Sequence, residues 1–188
     1  MKSVCYPEFT WNEFFWITSV HLPSWSGFQV SESPYGAVSS ERESSSNLKI
    51  MFAPEGRGDE PLNENELSLV QWVIDNESQL HDAVVGALYD KYPSIRQEFS
   101  EYLEENEADE LLPYVKSPEE MKKIVGVVSI NVHTISKDGT PYLGIELGCT
   151  WDDEHGVGIL FHGTTLVELG GADTAILLWI AEKHADQS

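Results

Sequence analysis

The sequence is poor in basic residues, has only two cysteines and contains no long hydrophobic run. Its 188 residues include 11 Lys and Arg against 32 Asp and Glu, which gives a formal net charge of −21. A surface of this charge repels nucleic acid and anionic membranes, so we expect neither as a partner. The charge favours a basic protein as partner, although solubility alone also explains it.

The two cysteines and the N-terminal segment indicate a cytoplasmic protein. Cys5 and Cys149 lie far apart and form no metal-type pair. The first residues contain no continuous apolar stretch of the kind that a signal peptide needs, because Pro7, Glu8 and Asn12 interrupt them. No run approaches the roughly 20 apolar residues of a membrane span. We therefore expect reduced thiols and a cytoplasmic location.

Length and composition predict a single α+β domain over residues 1–188. Hydrophobic residues make up 41% of the chain, and a chain of this length can bury a substantial core. We predict N-terminal strands over 9–54, a helical middle over 63–123, and β-hairpins followed by a helix over 124–185. The predicted fold is an antiparallel sheet packed against several helices, with the C-terminal helix on the sheet.

The N-terminal strands are predicted from short apolar runs between turn residues. Residues 14–22 are predicted to form one strand that pairs with residues 27–32 across a turn at 23–26. Residues 39–46 are rich in Ser and charged residues, which predicts an exposed loop. Residues 47–54 form a third strand.

The helical middle begins with a capping signal. Asn63 and Glu66 have the spacing of a capping box, in which each side chain bonds the other residue's backbone N–H. The helix that follows is predicted to end near Tyr92, and Pro93 starts the next one. Its buried stripe, in which the histidine is interpreted as a core residue, comprises Leu67, Val70, Ile74, His81, Val84 and Leu88.

An acidic tract follows these helices. Residues 98–110 contain seven acids and no base. Like charges at helical spacing weaken a helix, so the tract is interpreted as a solvated face. A docking surface for a basic partner is the alternative.

The C-terminal third alternates apolar and polar residues, as strands with one buried face do. We predict strands over 124–135, 142–150, 157–161 and 166–170, a hairpin loop at 137–140 and a helix over 172–185. The hairpin loop pairs Ser136 with Pro141, and this register matches like faces of the two strands. On the other side of the second strand, pairing Thr150 with Gly158 would bring His162 opposite Glu146.

This register predicts a polar row across three strands. Asn131 and His162 lie on either side of Glu146, and His133 lies one step along the same face. A carboxylate beside an imidazole can perform general acid/base chemistry or supply two metal ligands. A hydrogen-bonded pair on a half-exposed sheet face is the interpretation that we favour.

The loop between the second and third of these strands carries most of the remaining polar chemistry. Its residues are Trp151, Asp152, Asp153, Glu154 and His155. Adjacent residues cannot all converge on one ion, and the spacing matches neither a zinc motif nor an EF-hand. Aspartates also bond their own backbone, and Gly156 and Gly158 permit a sharp bend. The loop is therefore predicted to be a structural turn anchored by its tryptophan.

Several segments together resemble a bacterial family known only as a domain of unknown function. They are LPSWSGFQ (22–29), SPYG (33–36), VVGALYDKYP (84–93), YLGIELGCTWDDEHGVGILFHG (142–163) and VELGGAD (167–173). The hallmark of that family is a Trp-Asp-x-Glu-His-Gly turn between two strands, with a Cys two residues before the Trp. The resemblance runs from about residue 20 to 175. It implies a shared α+β fold. It does not indicate an activity, a cofactor or a catalytic residue.

Three functions are compatible with these observations. The net charge and the acidic tract favour a non-enzymatic, antidote- or immunity-like protein-binding domain without a cofactor or metal. The absence of a nucleophile elbow and of a phosphate loop permits this interpretation. The alternative is a metal-assisted hydrolase that uses Glu146, His155 and His162, with Asp152 or His133 as further ligands. A purely structural or regulatory domain is the third. The sequence does not indicate an oligomeric state.

Overall fold

The computed structural model describes residues 6–31, 38–53, 55 and 57–187. Cys5, the SPYG segment at 33–36 and the ends of two predicted strands at 32 and 54 lie outside the described residues. The strands are β1 (Thr10–Trp11), β2 (Trp16–His21), β3 (Gln29–Ser31), β4 (Val38–Glu43), β5 (Asn47–Phe52), β6 (Val125–Lys137), β7 (Thr140–Cys149), β8 (Val157–His162) and β9 (Thr165–Gly170). The α-helices are α1 (Glu64–Asp75), α2 (Glu77–Ser100), α3 (Glu105–Leu111) and α4 (Leu178–Gln187), and 3-10 helices span Pro23–Trp25, Pro118–Lys123 and Ala172–Ala175.

The strands of the described residues form a seven-stranded sheet and a separate two-stranded sheet. The large sheet has the order β1-β2-β5-β6-β7-β8-β9, and β3 pairs with β4. Within the large sheet β5 and β6 are parallel, and the other neighbours are antiparallel. The predicted α+β fold with a mainly antiparallel sheet is confirmed. None of the described helices combines the length and apolar composition of a membrane span.

One face of the large sheet packs against α1 and α2 and forms the main core. Ile130, Ile145 and Ile159 are neighbours on β6, β7 and β8, and all three are fully buried with Val84 and Leu88 of α2. Burying each of these side chains contributes about 2 kcal/mol before the opposing entropy is counted. The odd-numbered apolar residues of β7 therefore face the helices, and its even-numbered residues face away from them.

The opposite face of the sheet is covered by the chain after β9. The 3-10 helix Ala172–Ala175 lies on Gly144 and Gly158, where a Cβ atom would meet backbone oxygens at 1.6 and 2.4 Å. Next to it, Ile180 and Ala181 of α4 pack in a smaller apolar cluster with the sheet. The prediction that the C-terminal helix lies against the sheet is confirmed. The predicted single helix over 172–185 is wrong, because residues 176–177 separate a 3-10 helix from α4.

The N-terminal pairing differs from the prediction. β2 pairs with β5, because residues 23–25 turn away from the sheet toward α2 as a 3-10 helix. There the buried Trp25 donates its ring N–H to the Glu77 carbonyl at 3.0 Å, and the Ser24 hydroxyl donates to the Glu77 carboxylate at 2.7 Å. β3 instead pairs with β4, which occupies much of the predicted loop 39–46.

The helical middle starts as predicted and then divides at a different residue. The capping box of Asn63 and Glu66 is confirmed. The helix breaks at Asn76, whose backbone N–H and side-chain amide both donate to the Trp72 carbonyl at 3.0 and 2.8 Å. Pro93 does not start a helix, since α2 continues through it. The buried neighbours of the proline on α2 hold the helix in place although one backbone hydrogen bond is missing.

The hairpin between β6 and β7 closes as predicted. Ser136 pairs with Pro141, and the two turn residues Asp138 and Gly139 have φ of 52° and 74°. Positive φ at both positions is the geometry of a tight hairpin turn that follows the twist of the strands.

The predicted polar row is wrong, because the register changes beyond the hairpin. An irregularity between Val132 and Ser136 brings Ser129, rather than Asn131, opposite Glu146. On the other side Glu146 pairs with Gly158 instead of His162. Four residues along a strand span about 13 Å, so His162 lies far from the carboxylate that it was predicted to meet.

Candidate functional site

The loop at residues 151–156 is fixed at its start by buried contacts. Trp151 is 7% exposed, and its ring centroid lies 5.6 Å from that of Tyr92 in α2. The preceding Thr150 donates its backbone N–H to the Ile124 carbonyl at 3.1 Å and its hydroxyl to the Leu111 carbonyl at 2.6 Å. The loop is therefore attached to three separate segments of the chain.

Asp152 holds the bend of the loop. Its carboxylate accepts the backbone N–H of His155 at 3.0 Å and lies 3.0 Å from the ring nitrogen Nδ1 of the same residue. Its carbonyl accepts the N–H of Gly156 at 3.2 Å, and Gly156 has a φ of 65°. The prediction that an aspartate of the loop bonds its own backbone is confirmed at Asp152.

Cys149, two residues before the tryptophan, is fully buried. Its thiol donates to the Asp152 carbonyl at 3.4 Å. Burial raises the pKa of the Cys149 thiol to about 12. The thiolate is the reactive form of cysteine, and burial keeps Cys149 mainly as the protonated thiol at neutral pH.

The exposed side of the loop lines a cleft of about 570 Å³ that we call the Glu146 cleft. Glu154 and His155 come from the loop, Glu146 from β7, and residues 171–173 and Ile176 from the chain after β9. Three carboxylates, those of Glu146, Glu154 and Asp173, therefore line one cleft although they lie far apart in the sequence.

Glu146 lies at the end of a hydrogen-bonded chain on the polar face of the sheet. The Ser129 hydroxyl donates to its carboxylate at 2.9 Å, and the Asn131 amide donates to the Ser129 hydroxyl at 3.1 Å. Burial raises the pKa of the Glu146 carboxyl, while the bond from Ser129 and the charge of Lys49 oppose the rise. The carboxyl group is thus held in one place at the edge of the cleft, and it gains its proton more easily than an exposed glutamate.

The substitution Glu146→Gln is expected to stabilise the fold more at pH 7 than at pH 4. The raised pKa means that the folded state binds the proton more tightly than the unfolded state, whose carboxyl titrates near 4.5. The stability that this proton contributes is fully present below pH 4.5, and it is lost as the pH rises through the pKa of Glu146 in the folded state. The amide does not ionise, so thermal melts of both proteins should diverge as the pH rises. An equal difference at both pH values would contradict the expectation.

A second cleft of about 270 Å³, the Trp151 cleft, lies on the other side of the loop. Trp151 and Asp152 line it together with Glu98 and Lys91 of α2. Gly171 lines both clefts. The two clefts therefore adjoin each other at Gly171, and together we call them the acidic groove. Lys91 is the only Lys or Arg among the described residues that line it.

Other histidines of the predicted site lie outside the acidic groove. His133 is buried under the 3-10 helix with its Nε2 atom 3.1 Å from the Ala175 carbonyl, and burial lowers the pKa of its imidazole. His162 stacks on Tyr142 with ring centroids 4.7 Å apart. Both imidazoles therefore belong to the packing between the sheet and the C-terminal segment.

The structure divides the nine predicted site residues into three groups. The acidic groove is lined by five of them, Trp151, Asp152, Glu154, His155 and Glu146. Asn131 is hydrogen-bonded to Ser129, which in turn donates to Glu146. The remaining three, Asp153, His133 and His162, do not line the groove. Within the described residues, no three His, Cys, Asp or Glu side chains are placed to hold a metal ion. Of the residues of the alternative hydrolase, Glu146 and His155 line the same cleft, whereas His162 and His133 lie outside it.

Sequence reasoning missed Asp173 and Lys91 as residues of this surface, and Ser129 as the buried donor to Glu146. The sequence predicts only a helix over 172–185, which includes Asp173, and a strand over 124–135, which includes Ser129. No local pattern links them to the loop, because the chain after β9 must first fold back onto β7 and β8. The glycines at 144 and 158 were the available signal, since small residues on a strand permit close approach of another backbone.

These features define an α+β domain with an acidic groove divided by a tryptophan-anchored loop. Residues 21–177 match the family described as Domain of unknown function (DUF6985). The chain belongs to this family. No protein of curated function and no solved structure matches it.

Proposed function

We propose that the protein is a cytoplasmic, antidote-like binding protein without enzymatic activity that holds a basic segment of a partner protein in the acidic groove. One observation carries the proposal. Acids from four separate parts of the chain line the two adjoining clefts. They are Glu98 of α2, Glu146 of β7, Asp152 and Glu154 of the loop, and Asp173 of the 3-10 helix. A groove of this charge selects a cationic ligand by complementarity.

The charge of the whole chain supports the same partner. A net charge of −21 accelerates the encounter with a basic protein and slows the encounter with an acidic one. Within the groove, a nearby positive charge favours the ionised form of the half-buried Glu146, whose pKa burial raises. Binding should therefore release a proton near the pKa of Glu146.

The structure of the loop supports binding without a large loss of entropy. Trp151 and the bonds of Asp152 hold the loop before any ligand arrives. A site that is already in its bound conformation loses little conformational freedom on association. The acidic groove is thus suited to holding a partner.

Neutralising the groove should weaken its binding of a basic peptide. The triple variant Glu146→Gln, Glu154→Gln, Asp173→Asn removes three carboxylates and keeps their shape. Each partly exposed ion pair contributes about 0.2–1 kcal/mol, so we expect about a tenfold rise in the Kd of a lysine nonamer. Isothermal titration calorimetry at 50 mM salt measures this effect, and 200 mM salt should reduce the difference.

A matched variant separates the groove from the overall charge. Glu60→Gln, Glu182→Gln, Asp186→Asn makes the same change in net charge at exposed positions outside the groove. This variant should raise the Kd much less than the groove variant. Equal losses in both variants would show that the peptide senses only the total charge, and the groove proposal would then be wrong.

A further inference from the structure

A different face of α2 lines a separate cleft of about 610 Å³, which we call the tyrosine cleft. Tyr89, Tyr92, Pro93 and Arg96 come from α2, and Tyr114 comes from the segment after α3. None of these residues lines the acidic groove. The tyrosine cleft is thus a second surface with its own chemistry.

Tyr114 presents one open aromatic face in this cleft. The guanidinium carbon of Arg96 lies 3.6 Å from the centre of the Tyr114 ring. Arg96 is itself held by the Leu112 carbonyl at 2.8 Å and by the Asp109 carboxylate at 3.1 Å. Tyr114 is nevertheless 76% exposed. One face of the ring is therefore covered and oriented by Arg96, and the other faces solvent.

The charges around the ring favour a cation on its open face. Asp109 balances the charge of Arg96, and Asp90 adds a further carboxylate to the lining of the cleft. Gln97 and Ser100, which also line it, provide oxygen acceptors. A planar cation that stacks on the ring can donate several hydrogen bonds to such acceptors at its edge, which an ammonium group does less well.

We propose that the open face of Tyr114 stacks the guanidinium group of an arginine from a partner protein. The ligand class is an arginine-bearing basic segment, and the site is separate from the acidic groove. Tyr114 is the anchor, and Arg96 is the residue that positions it. Rigid exposed aromatic side chains of this kind often supply much of the energy of an interface.

The test compares an arginine nonamer with a lysine nonamer by calorimetry on the full chain. The wild type should bind the arginine peptide about two- to fivefold more tightly, as expected for stacking at an exposed site. Tyr114→Ala should abolish this preference, and Tyr114→Phe should keep it because the ring remains. Tyr102→Ala is the control, since Tyr102 is 83% exposed and does not line the cleft.

Three results would overturn the inference. They are equal affinity of the wild type for both peptides, a preference that survives in Tyr114→Ala, and an equal loss in Tyr102→Ala. The triple variant of the groove should weaken the binding of both peptides by the same factor and keep the preference for the arginine peptide. Failure of the Tyr114 inference with intact groove effects therefore leaves the proposed function standing, whereas binding of neither peptide at 50 mM salt contradicts both.

Discussion

Replacing Gly144 with alanine is expected to destabilise the protein by about 3 kcal/mol. The new Cβ atom would lie 1.6 Å from the Ala175 carbonyl oxygen, and this neighbour is backbone that cannot rotate away. Overpacking of a well-packed site commonly costs about 1–3 kcal/mol, and so short a contact belongs at the upper end. For a chain of this length the melting temperature should fall by roughly 6–12 °C.

The same substitution should also impair the acidic groove. Displacing Ala175 moves the 3-10 helix that carries Asp173, which lines the Glu146 cleft. Gly86→Ala is the control, because its added Cβ in the middle of α2 would meet no atom within 4 Å apart from the backbone of the helix itself and the neighbouring residues. Alanine is the better helix former by about 1 kcal/mol, so this variant should be more stable. A Gly144→Ala variant that melts at the wild-type temperature would contradict the close backbone contact at Gly144.

Replacing Trp151 with alanine is expected to cost about 3–5 kcal/mol and to release the loop. The indole is buried against Tyr92, and removing a large buried aromatic side chain leaves a cavity that the surroundings fill only in part. Because Trp151 orients the residues that follow it, binding of a lysine nonamer should weaken as well. Chemical denaturation measures the first effect and calorimetry the second.

Two further tryptophan variants control this prediction. Trp151→Phe keeps an aromatic ring beside Tyr92 and should lose less stability. Trp179 in α4 is 54% exposed, so Trp179→Ala should change the free energy of unfolding by no more than about 0.5 kcal/mol. A loss at Trp179 equal to that at Trp151 would contradict the assigned burial.

Together these predictions connect the fold to the groove. The 3-10 helix lies on two glycines of the sheet, and the loop leans on α2 through one tryptophan. Both contacts place carboxylates around Gly171, which lines both clefts. A change that loosens either contact should therefore alter stability and binding together, whereas the amide variants of the groove should alter binding with little loss of stability.

Local signals were sufficient for much of the fold. The cap at Asn63, the hairpin turn at residues 138–139 and the alternation of β6 to β9 depend on neighbours within a few residues. They could be predicted because capping, positive φ and strand periodicity are properties of short segments. The bonds of Asp152 to His155 and Gly156 belong to the same class.

Pairings that depend on distant segments could not be predicted in this way. β2 pairs with β5 because Trp25 and Ser24 bind Glu77, more than 50 residues away. The register of β6 against β7 changes at an irregularity beside His133, which bonds Ala175 on the covering segment. Apolar alternation is compatible with a shift of two residues, because such a shift keeps every side chain on its face.

The sequence by itself determined an acidic α+β domain with a bent, tryptophan-led loop, since composition and short-range patterns are sufficient for each of these features. Only the tertiary structure decided which carboxylates share a cleft. Glu146 lies away from His162 because of the register of β7 against β8, and it shares a cleft with Asp173 because the chain after β9 folds over Gly144 and Gly158. That contact is between backbones without intervening side chains, so no periodicity in the sequence encodes it.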